Sequence, residues 1–311
     1  MADTHRESNP VLEWIFYGNF FYGFCAVALA VEAVLQLGYP LNGWAFYCML
    51  FLCTVLYYNY PYARKYNYSG KNPRTAWYAK HYRYMFWNQV IVSLILLAGA
   101  IIFLVQFFPI IKNISCFNWF LVGLFPLVAG LYYGLNFLSA RYNLRSIGWL
   151  KPFIIGFTWA GLVTVYPVLW QNIQAAESYK VVLFNSLLFI KNGMFVAVLC
   201  IMFDIKDYAT DHSSKLKTFV VQLGLRKTIF YLLIPLPILG VVSFLSYAFT
   251  HQFSAIKIVM NMIPFLLLLA VGFALRKRRS MLYYHVVIDG LMLVKAACGI
   301  TAMLLSEPFI G

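Results

Sequence analysis

The chain has 311 residues, 62% of them hydrophobic, 19% aromatic and only 11% charged, with a formal net charge of +14. Soluble domains run at roughly 45–50% apolar and about 25% charged, so a globular cytosolic protein is excluded and length counts membrane spans. The basic residues are scattered over short connections with no recognition helix or RNP-like run, so a lipid bilayer is an expected partner and nucleic acid is not.

In chain order, "MADTHRESNP" carries no net positive charge, and the apolar stretch over about 12–37 is too long and aromatic for a secretory signal. It is expected as the first span, with the cleavage-like "ALA" at 28–30 left intact. Further segments follow at about 43–59, 84–107, 119–136, 152–172, 181–204, 228–249, 255–275 and 286–305. Each approaches the ~20 residues that a helix needs to cross a ~30 Å hydrocarbon core. The expected fold is all-α, a polytopic membrane protein of nine transmembrane helices in one integral membrane domain, 1–311. Gly123, Pro126, Gly130 and Gly134 make the fourth segment the most interrupted, which neighbouring helices can cover. The six cysteines form no CxxC pair and read as small buried hydrophobes.

Lys and Arg alternate by connection. The second-to-third connection holds Arg64, Lys65, Lys71, Arg74, Lys80 and Arg83, the fourth-to-fifth Arg141, Arg145 and Lys151. The sixth-to-seventh holds Lys206, Lys215, Lys217, Arg226 and Lys227, and the eighth-to-ninth Arg276, Lys277, Arg278 and Arg279. The intervening connections hold only Lys112, Lys180 and Lys257. Positive charge is retained on the cytoplasmic side, so the N-terminus is expected there and the C-terminus opposite.

Where the sixth segment emerges on the cytoplasmic side, "FDIKDYATDHSSKLKT" concentrates Asp204, Asp207 and Asp211 in a chain with only ten acidic residues. On a helix these positions, i, i+3 and i+7, lie within about 60° of one another. Like charges so placed are destabilising unless a cation is shared between them. A hard divalent ion such as Mg²⁺, which takes one or two carboxylates and completes its shell with water and substrate phosphates, suits the pattern. A solvated acidic helix end paired with Lys206, Lys215 and Lys217 is the plainer alternative.

This window resembles the second aspartate-rich motif, DxxxD, of the UbiA superfamily of intramembrane prenyltransferases, often written NxxRDxxxDxxxGKxT. Here the matching residues are Lys206, Asp207, Asp211, Lys215, Lys217 and Thr218, followed by "VVQLG" at 220–224. The resemblance implies a nine-helix bundle in which two Mg²⁺ ions, held by two aspartate motifs, bind an allylic polyprenyl diphosphate whose prenyl group is transferred to an acceptor, often an aromatic ring. It implies Asp207 and Asp211 as metal ligands, with Asp204 as an additional acid one turn earlier. Lys215 and Lys217 would meet the diphosphate as mobile point charges.

The family's first motif, NDxxDxxxD, is not matched. Aligning Asn59 with its Asn puts Tyr60, Ala63 and Asn67 where three aspartates belong, with Pro61 between them. The candidate substrate contacts here are Asn59, Arg64 and Lys65: either Arg and Lys hold the diphosphate directly, or the donor differs, or the protein no longer catalyses transfer. In "SARYNLRSIGWLKPF", 139–153, the resemblance adds Tyr142, Arg145 and Lys151, which also suit plain interfacial anchoring.

Asp289 is the one remaining acid placed to approach the window; a pair with Lys295 or a snorkelling acid is the plainer alternative. Lys191 lies thirteen residues before Asp204, about 20 Å along a helix, too far to share its site. A pore-lining or acceptor-binding role and a buried hydrogen bond both remain open for it. His212, beside Asp211, is a weak general-base candidate. The expected function is Mg²⁺-dependent prenyl transfer from a polyprenyl diphosphate to an unidentified acceptor. The alternative is a non-catalytic isoprenoid- or quinone-binding protein on the same fold, which the missing first motif favours. A small carrier using Lys191 and Lys295 has only those two charges behind it.

Overall fold

The computed structural model describes residues 10–62, 73–133, 147–277, 279–280 and 283–306, and among them there is no β-strand. The helices are α1 (Pro10–Tyr17), α2 (Phe20–Gln36), α3 (Trp44–Asn59), α4 (Pro73–Lys80), α5 (Tyr82–Gln106), the short α6 (Phe108–Ile111) and α7 (Cys116–Tyr133). Then come α8 (Lys151–Ala160), α9 (Tyr166–Gln174), α10 (Leu183–Ser213), the short α11 (Phe219–Leu223) and α12 (Leu225–Thr228), α13 (Pro235–Thr250), α14 (Ala255–Ala274) and α15 (Gly290–Ser306).

Among the described residues seven helical stretches are long and apolar enough to cross a membrane, and an eighth forms if α1 and α2, bent by 59°, count as one. Nine spans were expected from hydropathy, and the segment that falls short is α3. Its 16 residues reach about 24 Å against a ~30 Å core. Its bounds have local causes. Gly43 enters in an extended conformation, and Pro61, which has no N–H and clashes with the preceding turn, ends the α-helix in a 3₁₀ turn at Tyr60–Tyr62. The bend between α1 and α2 sits at Gly18 and Asn19, the latter left-handed at φ 61°, a region that Asn tolerates better than most residues. The interrupted fourth segment is one helix, α7, that carries Pro126 inside it.

The residues group into two compact units, 1–27 with 42–113, and 28–41 with 114–311. In the first, Asn19, Asn59, Arg74 and Tyr78 form a buried polar knot. Asn59 Oδ1 accepts from Asn19 Nδ2 at 2.7 Å and from the Tyr78 hydroxyl at 2.6 Å, while Asn59 Nδ2 donates to the Gly18 carbonyl at 3.0 Å. Arg74 donates to Asn19 Oδ1 at 2.6 Å and lies 4.9 Å from the Tyr62 ring centroid. Helix α5 of this unit exposes Ile91, Leu94, Ile95, Leu97, Ile101 and Ile102, a surface that water would not tolerate and lipid would.

The second unit is built around α8 and α10. Gly156 and Ala160 on α8, and Gly193 and Ala197 on α10, repeat at four-residue spacing, the small-xxx-small pattern that lets helix backbones approach in a membrane. A Cβ on Gly156 would stand 2.4 Å from the Gly193 carbonyl oxygen and 3.2 Å from the Ala197 Cβ. Farther along the pair, Asn192 Nδ2 donates to Thr164 Oγ1 at 2.8 Å. Rising numbers on α8 meet falling numbers on α10, so the two helices are antiparallel.

Between α8 and α9 a π-turn covers Gly161–Val165. Pro167 follows it, and the wider turn absorbs a ring that a regular α-helix would not. Similar π-turns cover Ile229–Leu233, before Pro235 on α13, and Tyr284–Ile288, before α15. Gly161 receives the Phe125 ring, where any Cβ would collide with it.

Opposite in α10 from its aspartate end lies a buried polar chain. Glu32 Oε2 is 2.6 Å from Lys295 Nζ, and the two residues are only 1% and 2% exposed. Gln36 Nε2 donates to Glu32 Oε1 and to Asn261 Oδ1, and Lys191 Nζ donates to the same Asn261 oxygen at 2.7 Å. A structural hydrogen bond is thus present at Lys191, at a part-buried position, and it binds α10 to α14.

Candidate functional site

Helix α10 runs unbroken for 31 residues through the aspartate window to Ser213, so Asp204, Asp207 and Asp211 stand on one helix at the spacing that the sequence gives them. Their environments differ. Asp204 is fully buried and Asp211 is 8% exposed, whereas the Asp207 side chain is 45% exposed. Lys151, the first residue of α8, places its Nζ 2.6 Å from Asp204 Oδ1. The antiparallel glycine contact sets this distance, because it fixes which residue of α8 lies level with Asp204. The second oxygen of Asp204, Oδ2, is buried and has no hydrogen-bond partner among the described residues. Lys206 Nζ approaches Asp207 Oδ1 only to 3.7 Å, a loose pair at a partly exposed position.

The chain leaves α10 through a reversal at Lys215, left-handed at φ 57° where glycine is usual. The Lys215 N–H donates to the His212 carbonyl, and the Leu216 N–H to the Asp211 carbonyl at 2.9 Å. Lys215, Lys217 and His212 are exposed, and the two lysines sit where the helix dipole is negative. The 148 position touches this reversal: a Cβ on Gly148 would lie 2.5 Å from the Lys217 carbonyl carbon and 2.6 Å from the Thr218 nitrogen. Buried Thr218 then caps α11 by accepting from the Val221 N–H at 3.4 Å. "VVQLG" is therefore this short helix and its left-handed Gly224.

Phe203, beside Asp204, lies 5.8 Å from the Tyr284 ring and 6.2 Å from the His285 ring, centroid to centroid. Asp289, just after that π-turn, has Oδ2 3.4 Å from His285 Nδ1, and both residues are buried. The alternative pairing of Asp289 with Lys295 is not what forms, because Lys295 reaches Glu32 instead.

The fold is similar to that of a solved structure, the apo form of a UbiA homolog from Aeropyrum pernix K1, with a TM-score of 0.58 at 16% identity, over 91% of this chain and 97% of that one. The chain has a UbiA-like fold. No protein-family profile matches it, and no curated protein does either, so the likeness rests on three-dimensional arrangement.

On this UbiA-like fold Asn59 is only 1% exposed, and both ends of its carboxamide are engaged by Gly18, Asn19 and Tyr78. Arg64, Lys65, Tyr142 and Arg145 lie outside the described residues. Among the described residues no three His, Cys, Asp or Glu side chains gather to hold a metal. A Mg²⁺ site needs fewer, since one or two carboxylates suffice when substrate phosphates fill the rest of the shell. Asp207 and Asp211, one turn apart on α10, fit that requirement with hard oxygen donors. Asp204 has one oxygen already given to an ammonium. Sequence reasoning missed this Lys151–Asp204 pair, although the matched Gly-xxx-Ala spacings on α8 and α10 were a signal for the helix contact that creates it.

Proposed function

We propose that this UbiA-like protein is a membrane prenyltransferase that moves a polyprenyl group from an allylic diphosphate to an acceptor, with Mg²⁺ held at Asp207 and Asp211. The observation that supports it best is the aspartate end of α10, where Lys151 is fixed 2.6 Å from buried Asp204 while Asp207 remains accessible. In the reaction the allylic C–O bond breaks and diphosphate leaves with the electron pair. The prenyl carbon then bonds to the acceptor, which loses a proton. Bound Mg²⁺ would supply Lewis-acid stabilisation of the leaving oxygens. Lys151 would hold the diphosphate against departure from the reacting geometry, and Lys215 and Lys217 would meet it from the exposed reversal. The charge distribution of the connections supports a cytoplasmic placement for this end of α10.

A second reading, a non-catalytic isoprenoid or quinone binder, draws support from Asn59, whose polar atoms are spent on internal hydrogen bonds where the family's first motif would present carboxylates. The test is transfer from labelled farnesyl or geranylgeranyl diphosphate to a panel of aromatic acceptors by the protein in lipid nanodiscs with Mg²⁺. The transferase reading expects prenylated product and a loss of about a hundredfold or more in rate for Asp207→Asn and Asp211→Asn. Tight prenyl diphosphate binding with no turnover across the panel would favour the binder.

A further inference from the structure

An ammonium carries three N–H donors. Lys151 gives one to Asp204 Oδ1, and among the described residues no second acceptor takes the others. Its side chain is 19% exposed, whereas Asp204 is wholly inaccessible. A cation shared with Asp204 would have to sit beside the ammonium already bonded there, and the repulsion disfavours it. That leaves two window carboxylates for metal, and the absence of any three-acid group among the described residues adds no further ligand set. The negative charge of a diphosphate exceeds what one divalent ion neutralises, and a fixed ammonium supplies the remainder.

We propose that Lys151, held in place by Asp204, does the work of a second metal ion, so that the site takes a diphosphate with one divalent cation at Asp207 and Asp211. Asp204 is then a positioning residue for Lys151 and not a metal ligand. The proposal rests on the transferase reading and specifies how its diphosphate is neutralised.

The test is a Mn²⁺ titration of the full-length protein in nanodiscs with inorganic pyrophosphate, read by electron paramagnetic resonance for stoichiometry and by calorimetry for affinity. One Mn²⁺ per chain is expected in the wild type. Lys151→Gln should weaken pyrophosphate binding about ten- to a hundredfold, the loss of one charge-assisted hydrogen bond, and leave the stoichiometry at one. Lys151→Arg should recover part of the affinity. Asp204→Asn should weaken pyrophosphate in the same way, and Asp204→Asn/Lys151→Gln should bind no worse than Lys151→Gln alone, since one residue acts through the other. Two Mn²⁺ per wild-type chain, or unchanged pyrophosphate affinity in folded Lys151→Gln, would overturn the proposal. A wild type that binds no pyrophosphate with Mn²⁺ would remove the transferase reading and this inference with it, an outcome distinct from the other two.

Discussion

Glu32→Ala is expected to lower stability by about 3–5 kcal/mol, the cost typical of breaking a buried ion pair from one side. Lys295, on α15, has its Nζ 2.6 Å from Glu32 Oε2, and the second Glu32 oxygen accepts from Gln36. With the carboxylate gone, the ammonium stays among helices with neither water nor a counter-charge. Gly299 shows how closely the site is fitted, since a Cβ there would come within 2.4 Å of the Glu32 side chain. Removing both charges is a different matter. Glu32→Met/Lys295→Met should be near neutral or more stable than wild type, because an apolar pair of similar size avoids the desolvation that the ion pair incurs. Denaturation in detergent micelles separates the two cases; equal losses in the single and double variants would show that packing, not charge, dominates here.

The second large effect is expected at Gly156. Gly156→Val puts a branched side chain where the Gly193 backbone lies, with the nearest oxygen 2.4 Å from the first added carbon. No rotamer relieves a backbone clash, so α8 and α10 must separate, at a cost of about 3 kcal/mol or more, the upper end for overpacked cores. Gly123→Ala is the control. A Cβ at 123 meets nothing within 4 Å, so the change should be neutral or stabilise by up to about 1 kcal/mol through helix propensity. Because the same contact sets Lys151 level with Asp204, Gly156→Val should also weaken diphosphate binding in whatever fraction remains folded.

Much of this architecture was legible in the sequence because hydropathy is a local property. Among the described residues each expected apolar segment is mostly helical, and the continuation of α10 past Asp204 realises the spacing that made the aspartates conspicuous. What is less legible depends on how helices end. The segment expected over 43–59 is α3, whose 16 residues after Gly43 fall short of a full crossing. The first segment reads as one run, yet Gly18 and Asn19 bend it by 59°.

Pairings across the fold were less accessible still. Glu32 and Lys295 are 263 positions apart, and no periodicity links them, so Asp289 was as reasonable a partner for Lys295. Lys151 was singled out by resemblance to a loop motif, while its bond to Asp204 follows from the Gly156–Gly193 contact, a matter of tertiary register. Asn59 shows the converse. A position read as a substrate contact is also the centre of a polar knot that ties α3 to α4 and to the turn after α1.

The most direct test of the central claim is the thermal stability of the detergent-purified protein with farnesyl or geranylgeranyl diphosphate, with and without Mg²⁺. A specific ligand at about a hundred times its dissociation constant adds about 2.7 kcal/mol. A shift of that order that requires Mg²⁺ and vanishes in Asp207→Ala/Asp211→Ala is the expected result. No shift, or one that persists without Mg²⁺ and in the double variant, would contradict a metal-bound diphosphate at the aspartate end of α10.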